Sequence, residues 1–305
     1  MVPQSMIVFY GHPGDTPMQM AIAAAAEHNV DRVVVDQAHT ADDDVVLDIG
    51  PAGVTGYLVV GRQHIDLDEI SAVYARPLAP MVTGDSAGAR RAQAWHHIIT
   101  EWLDTTTALV VNRPCAMASN ASKPFQQQLI AEHFAVPDTL VTSCPQDVRG
   151  FWREHGAVVF KSTSGIRSIV HRLDEPGAQR LDAVALLPTQ FQGCVAGVDV
   201  RVHVVGSAVF ATEIHSSAVD YRYAHRDGLH VDLKPVRLGH DVEQRCVGLA
   251  ATLDLPFCGI DLRRTPDGRY VCFEVNPMPG FSYYEAETGA PISSALVDLL
   301  SGKAS

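Results

Sequence analysis

Two runs of β-favouring residues flank the turn signature Thr265-Pro266-Asp267-Gly268, and they carry an aspartate, a glutamate and an asparagine. Read as a hairpin with Thr265 paired to Gly268, opposed residues have numbers that sum to 533, which sets Asp261 across from Cys272. Directly paired residues project to one face, as do alternate residues along a strand. Asp261, Glu274 and Asn276 then share a face, with Asp261 and Glu274 diagonal neighbours about 7 to 8 Å apart at Cα. Two carboxylates and an amide oxygen suit a hard divalent cation, which for magnesium keeps waters and substrate phosphates in its shell. A solvated polar face on an edge hairpin is the plainer alternative. Val271, Phe273 and Val275 on the opposite face, and the rigid continuation Pro277-Met278-Pro279-Gly280-Phe281, weigh against it. A one-residue slip of register would move Asp261 to the other face.

Lys161 ends the apolar run Ala157-Val158-Val159-Phe160 and precedes the small-residue loop Ser162-Thr163-Ser164-Gly165. A lysine there reaches phosphate oxygens as a point charge while loop amides and hydroxyls add hydrogen bonds. A surface lysine with its stem on apolar neighbours is the alternative. Lys123 opens a predicted helix, where the macrodipole disfavours a cation and an anionic partner would compensate. Asp199-Val200-Arg201-Val202-His203 alternates strictly, so Asp199, Arg201 and His203 share one face and the valines the other. An acid able to bond a ribose hydroxyl, beside an arginine able to hold a phosphoryl or carboxylate group, would account for that face; so would plain exposure. In Asp220-Tyr221-Arg222 the arginine could hold a substrate carboxylate or simply belong to a turn.

The elements that position these residues follow from periodicity. Strands are predicted at Met6–Tyr10, Arg32–Asp36, Tyr57–Val60 and Ala72–Ala75, with an Ala-rich helix over 17–28 and an amphipathic helix over 85–103. Gly11-His12-Pro13-Gly14 lacks the ending of a P-loop and the spacing of a dinucleotide loop, so it reads as a tight turn. Arg113-Pro114 and the small polar stretch after it place a domain boundary near 111. Helices over 123–134 and 145–155 and strands over 139–142 and 157–161 then form a small lobe. Long strands over 198–205 and 209–214, a helix over 242–253, the hairpin and a closing helix after Pro291 complete the chain.

The composition bounds the function. The chain has 305 residues, 47% hydrophobic and 19% charged, enough for about two domains with real cores. A net charge of −12 disfavours coating of nucleic acid or membranes, yet leaves room for a local basic pocket. Six cysteines without a C-x-x-C pair argue for reduced thiols, and no secretory signal or apolar span is read, so a cytoplasmic protein without membrane or nucleic-acid partners is expected.

In order along the chain, Lys123, Lys161, Phe191-Gln192-Gly193-Cys194-Val195, Asp199-x-Arg201, Asp220-Tyr221-Arg222, Gly259-x-Asp261, Glu274-x-Asn276-Pro277 and Pro279-Gly280-Phe281 resemble the ATP-grasp ligases. The likeness is to the RimK-like branch, which includes ribosomal-protein glutamate ligases and the ligases that macrocyclise graspetides such as microviridins. It implies an α/β (α+β) architecture: a Rossmann-like pre-ATP-grasp domain over 1–111 and an ATP-grasp domain over 112–305, with a small lobe to about 188 and a carboxy-terminal lobe over 189–305. It implies ATP between the lobes, with Lys123 and Lys161 on the phosphates, the Gln192, Gly193, Cys194 and Val195 hinge on adenine, and Asp199 on ribose. Asp261, Glu274 and Asn276 would hold magnesium, with manganese an alternative. Arg201 and Arg222 would clamp the γ-phosphate and acyl group. The loop with Ser164 and Arg167 is short and carries an arginine in place of a long glycine-rich flap, which makes Arg167, like Asp220, a phosphate or substrate contact. The implied reaction is an acylphosphate-forming carboxylate ligation that makes an amide or ester, on a peptide or on a free amino acid or small metabolite. A nucleotide-binding regulator without turnover is the alternative from another class, and homodimers are common in the family.

Overall fold

Ile7, Val8, Phe9 and Tyr10 are consecutive apolar residues, so a strand built from them must be covered on both faces. In the computed structural model, which describes residues 6–40, 42–51, 53–78, 86–163, 169–216, 228 and 230–303, they lie in β1 (Met6–Gly11), each at most 1% exposed. α1 (Thr16–Glu27) and β2 (Arg32–Asp36) follow. An antiparallel meander comes next, of β3 (Asp44–Gly50), β4 (Gly53–Val60) and β5 (Gln63–Asp66), and then β6 (Ile70–Arg76), α2 (Ala87–Thr105) and β7 (Leu109–Val111). The parallel sheet runs β2-β1-β6-β7. Alternation sorts its side chains. Val8, Tyr10, Val73 and Val110 pack with Trp95, Ile99, Trp102 and Leu103 of α2, while Ile7, Phe9, Ala72 and Val111 pack with α1. Ser86 caps α2, its Oγ accepting the Ala89 N–H at 3.2 Å.

Of the meander, the sequence predicts only Tyr57–Val60. Gly56 interrupts the β pattern, but it sits at φ +137° with Val46 O only 1.9 Å from where a Cβ would be. Glycine here marks a close approach of two strands, not a strand end.

α3 (Pro114–Met117), α4 (Lys123–Ala131), β8 (Thr139–Thr142), α5 (Pro145–His155), β9 (Val158–Ser162), β10 (His171–Arg172), α6 (Glu175–Gln179) and β11 (Thr189–Gly193) come next. An antiparallel sheet, β10-β9-β11-β8, is covered where Val148 of α5 meets Val158, Leu173, Leu181 and Phe191. α4 stops short of the predicted Phe134: the His133 and Phe134 N–H groups both turn back to Ile130 O at 2.9 Å, and Phe134 is buried.

The remaining elements are β12 (Val198–Val205), β13 (Ala208–Ser216), β14 (Val231–Val236), α7 (His240–Thr252), β15 (Phe257–Arg264), β16 (Tyr270–Asn276), α8 (Ser282–Thr288) and α9 (Ile292–Leu300). They build an antiparallel sheet in the order β14-β13-β12-β15-β16. Val200, Val202, Val204, Ile260, Leu262 and Val275 turn to α7, where they meet Cys246, Leu249, Ala250 and Leu253. Each such buried aliphatic side chain contributes about 1.5–3 kcal/mol. A slipped register would lose several at once, so this core obliges the polar residues between them onto the other face. α9 returns to the first sheet, where Ile292, Leu296, Val297 and Leu300 pack with Ile7, Phe9 and α1; Val205, Phe257 and Phe281 join them. Segments on both sides of residue 111 thus share one apolar cluster.

Candidate functional site

The hairpin reaches the predicted face by a different register. Gly268 adopts φ +82°, its N–H bonds Thr265 O at 2.9 Å, and Thr265 N–H bonds Arg269 O at 2.8 Å. The loop is therefore three residues long with a left-handed glycine, and Leu262 comes opposite Cys272. A second irregularity, between Asp261 and Leu262, sets Asp261 directly opposite Glu274 and Gly259 opposite Asn276. The two one-residue shifts cancel in parity, so Asp261, Glu274 and Asn276 share a face, with Asp261 and Glu274 facing partners instead of diagonal ones. The same shifts correct the opposite face. Cys272 and Val275 enter the core, but Val271 pairs with Arg263, and the Phe273 ring centroid lies 5.2 Å from the Arg263 Cζ.

Arg201 of β12 is paired with Asp261 of β15, and its Nη1 donates to Asp261 Oδ1 at 2.7 Å. The guanidinium is buried. Gly259 makes the room for it: a Cβ there would stand 2.2 Å from Nη2 and 2.5 Å from Cζ. The Tyr284 ring of α8 lies 5.8 Å from Cζ, within cation–π range. Arg201 Nε makes a long contact of 3.5 Å with His203 Nε2. His203 is fully buried, and burial first, then the charge of Arg201, holds its pKa well below the usual imidazole value, so it is neutral. Its Nδ1 has no hydrogen-bond partner among the described residues.

Lys161 is the penultimate residue of β9, followed by Ser162. Its Nζ crosses from the small antiparallel sheet to the large one and lies 3.8 Å from Glu274 Oε2. Each carboxylate thus faces a cation from a different strand. Lys123 is the first residue of α4, one turn before Gln126, whose side chain grips the Val275 backbone.

The hinge residues end β11 and lead toward β12. Gln192 Nε2 donates to Thr139 Oγ1 at 3.1 Å, Gly193 N–H to Asp138 O at 3.0 Å and Cys194 N–H to Ala157 O at 2.8 Å. Those donors are engaged within the protein in this arrangement. Val195 O accepts from Arg263 Nη1 at 2.8 Å, while Arg263 Nε and Nη2 hold Asp199 Oδ1 at 2.8 and 2.7 Å. Arg263 therefore ties the hinge to Asp199, a role that carries no motif; its only signal is a place two residues after Asp261 on the same face. Ser164, Arg167, Asp220 and Arg222 lie outside the described residues.

Asp261, Glu274 and Asn276 fit a hard divalent cation by donor chemistry: two carboxylates on facing strands and an amide oxygen two residues on. Asn276 Oδ1 accepts the Met278 N–H at 3.2 Å, which orients it and leaves a second lone pair. Among the described residues no group of three or more His, Cys, Asp or Glu side chains is placed to hold a metal ion.

The sequence profile of the RimK-like ATP-grasp domain matches residues 123–300, more than half of the chain. The chain belongs to the RimK-like ATP-grasp family. This RimK-like protein is an ATP-grasp ligase with an α+β fold, and ATP binding is inherent in that fold. It is 25% identical over 207 residues to a protein of Shewanella loihica named "Probable alpha-L-glutamate ligase", covering 64% of this chain and 67% of that one. It is 28% identical over 201 residues to human N-acetylaspartylglutamate synthase A, covering 62% of this chain and 51% of that one. The chain spans about two thirds of the bacterial relative and about half of the human one. In fold, it is similar to the macrocyclase MdnC of Microcystis aeruginosa solved with its precursor peptide MdnA, at TM-score 0.81 and 21% identity, covering 97% of this chain and 99% of that one. An ATP-grasp ligase of Chryseobacterium gregarium, solved with ADP and a leader and core peptide, gives TM-score 0.83 at 21% identity, covering 99% and 98%. Among the described residues no helix of this RimK-like protein is long and apolar enough to cross a membrane.

Proposed function

We propose that the chain is an ATP- and magnesium-dependent carboxylate ligase that works through an acylphosphate, acting on a peptide. The observation that carries this reading is the meeting of Lys161 with Glu274 and of Arg201 with Asp261 on the polar face between two antiparallel sheets. Polyphosphate chemistry needs positioned cations and hard oxygen ligands more than it needs a covalent nucleophile. Asp261, Glu274 and Asn276 would hold magnesium, which supplies charge neutralisation between nucleotide phosphates. Lys161 and Lys123 would then take phosphate oxygens, the 192–195 hinge the adenine, and Asp199, held by Arg263, the ribose. A substrate carboxylate oxygen attacks the γ-phosphorus, and the bond to the bridging oxygen breaks with release of ADP. An amine or hydroxyl next attacks the acyl carbon, phosphate leaves with the C–O electron pair, and the nucleophile loses its proton. Arg201, with Arg222, would neutralise the transferring phosphoryl group. The same reading assigns 1–111 to a pre-ATP-grasp unit and 112–305 to the ATP-grasp unit.

Structural neighbours solved with precursor peptides favour a peptide as substrate. A second reading, addition of free glutamate, is favoured by the names of the bacterial relatives. Incubation with ATP, magnesium and panels of acidic peptides and amino acids, read by mass spectrometry, separates them. An intramolecular product is lighter than its peptide by one water, whereas a glutamate adduct is heavier. Absence of both products and of carboxylate-dependent phosphate release across the panels would overturn the ligase reading.

A further inference from the structure

β16 is an edge strand of its sheet; on its outer side Ala135 bridges to Val271 and its C=O accepts the Cys272 N–H at 2.9 Å, and beyond that bridge the N–H and C=O groups of β16 need other partners. At Val275, between Glu274 and Asn276, one side chain takes both. Gln126 Nε2 donates to Val275 O at 2.8 Å, and Gln126 Oε1 accepts the Val275 N–H at 3.1 Å. Just past Asn276, Asn112 Nδ2 donates to Pro277 O and to Phe257 O, while Asn112 Oδ1 accepts the Phe257 N–H at 3.2 Å. Both amides are buried, at 3% and 2% exposure. Pro277 and Pro279 have no N–H, so the chain leaving β16 cannot extend a ladder. Arg76 Nη1 holds Pro279 O at 2.9 Å, a further contact from outside the sheet.

We propose that Gln126 and Asn112 are positioning residues that stand in for a neighbouring strand where the backbone pairing at Ala135 stops. They fix the backbone on either side of Asn276, and so set where the Glu274 carboxylate and the Asn276 amide stand for a divalent cation. This rests on the ligand assignment above. A side-chain amide suits the task because it offers a donor and an acceptor in one plane, as a peptide group does. An aliphatic residue of similar length leaves a buried N–H and C=O without partners, and a carboxylate turns a lone pair toward Val275 O. Through α4 the same contact couples Lys123 to the strand that carries the candidate ligands.

Mn2+ binding to the full chain in the presence of ADP, followed by electron paramagnetic resonance, tests this without turnover. Gln126→Met and the isosteric Gln126→Glu are each expected to weaken Mn2+ by about tenfold or more, with metal-free ADP affinity within about threefold of wild type. Gln127→Met removes two hydrogen bonds one residue away, to Pro137 O and Thr139 Oγ1, and is expected to leave Mn2+ affinity within about twofold. Mn2+ affinity near wild type in both Gln126 variants, or an equal loss in Gln127→Met, overturns the proposal. The unsubstituted chain supplies a reading that needs no variant: the Val275 amide should exchange slowly with solvent deuterium, and the rate of an open edge amide overturns the proposal as well. A wild-type chain that binds no Mn2+ with ADP overturns the ligand assignment and this inference with it, whereas insensitive variants overturn this inference alone.

Discussion

Arg201 rests on Gly259, its Nη2 2.2 Å from where a Cβ of that glycine would stand, while its Nη1 reaches Asp261 Oδ1 at 2.7 Å. Gly259 carries no positive φ, so its glycine identity answers to the arginine on the next strand and not to its own backbone. Gly259→Ala is expected to push the guanidinium off Asp261 and to lower turnover on the order of 10²-fold, the cost of displacing a positioned group by about an ångström. Steady-state kinetics beside circular-dichroism melting checks it, and an unchanged turnover in a folded Gly259→Ala variant would remove Arg201 from the reaction.

Glu274→Ala and Asp261→Asn each remove a candidate cation ligand. Turnover is expected to fall about 10³-fold, the scale of losing several kcal/mol of metal-derived charge stabilisation. Chelation of the wild-type chain should abolish turnover, and magnesium or manganese should restore it. A Glu274→Ala variant that works at the wild-type rate contradicts the magnesium assignment.

Cys194 is exposed within the hinge, and Cys115 is exposed elsewhere. Burial raises the Cys246 and Cys258 thiols to about 12 and the Cys272 thiol well above its usual value. Alkylation of the native chain, mapped by peptide mass spectrometry, should therefore mark the exposed Cys115 and Cys194 and spare those three, with Cys115 slowed because burial and then Asp104 raise its thiol. Added ADP should slow labelling at Cys194 about fivefold and leave Cys115 alone, since only a bound ligand at the hinge shields it. Equal Cys194 rates with and without ADP argue against adenine at residues 192–195.

His203 links stability to pH. Its folded pKa is depressed by burial and then by Arg201, while in the unfolded chain it titrates near about 6.5. Above that pH both states are neutral and the full stability is present. Below it only the unfolded chain gains the proton, so stability falls by up to about 1.4 kcal/mol per pH unit from this one group, until the folded pKa is reached. Urea unfolding of His203→Gln between pH 7 and 5 should show a shallower loss than wild type. Parallel slopes would mean that the buried imidazole is not held neutral.

Much of the site was legible because sheet faces obey a period of two. Asp199, Arg201 and His203 had to share a face once Val200, Val202 and Val204 claimed the core. The hairpin was legible from its turn residues, but its register was not. Gly268 could complete either a two-residue or a three-residue loop, and the choice depends on the whole sheet. Of the meander at 44–66 only Tyr57–Val60 was legible, because β3 and β5 are mostly exposed and Gly56 breaks the run in β4, so no long apolar run announces the rest.

By itself the sequence determined most of the long strands and helices, the polar face and the ordered residues that place the chain in its family, because each depends on neighbours a few positions apart. Only the tertiary structure decided that Lys161 of one sheet reaches Glu274 of another, that Arg263 joins Val195 to Asp199, and that Gln126 and Asn112 hold the edge of β16. These contacts join segments remote in the chain. Their partners are backbone groups or charges that become adjacent only when the cores on the far faces of the sheets have closed.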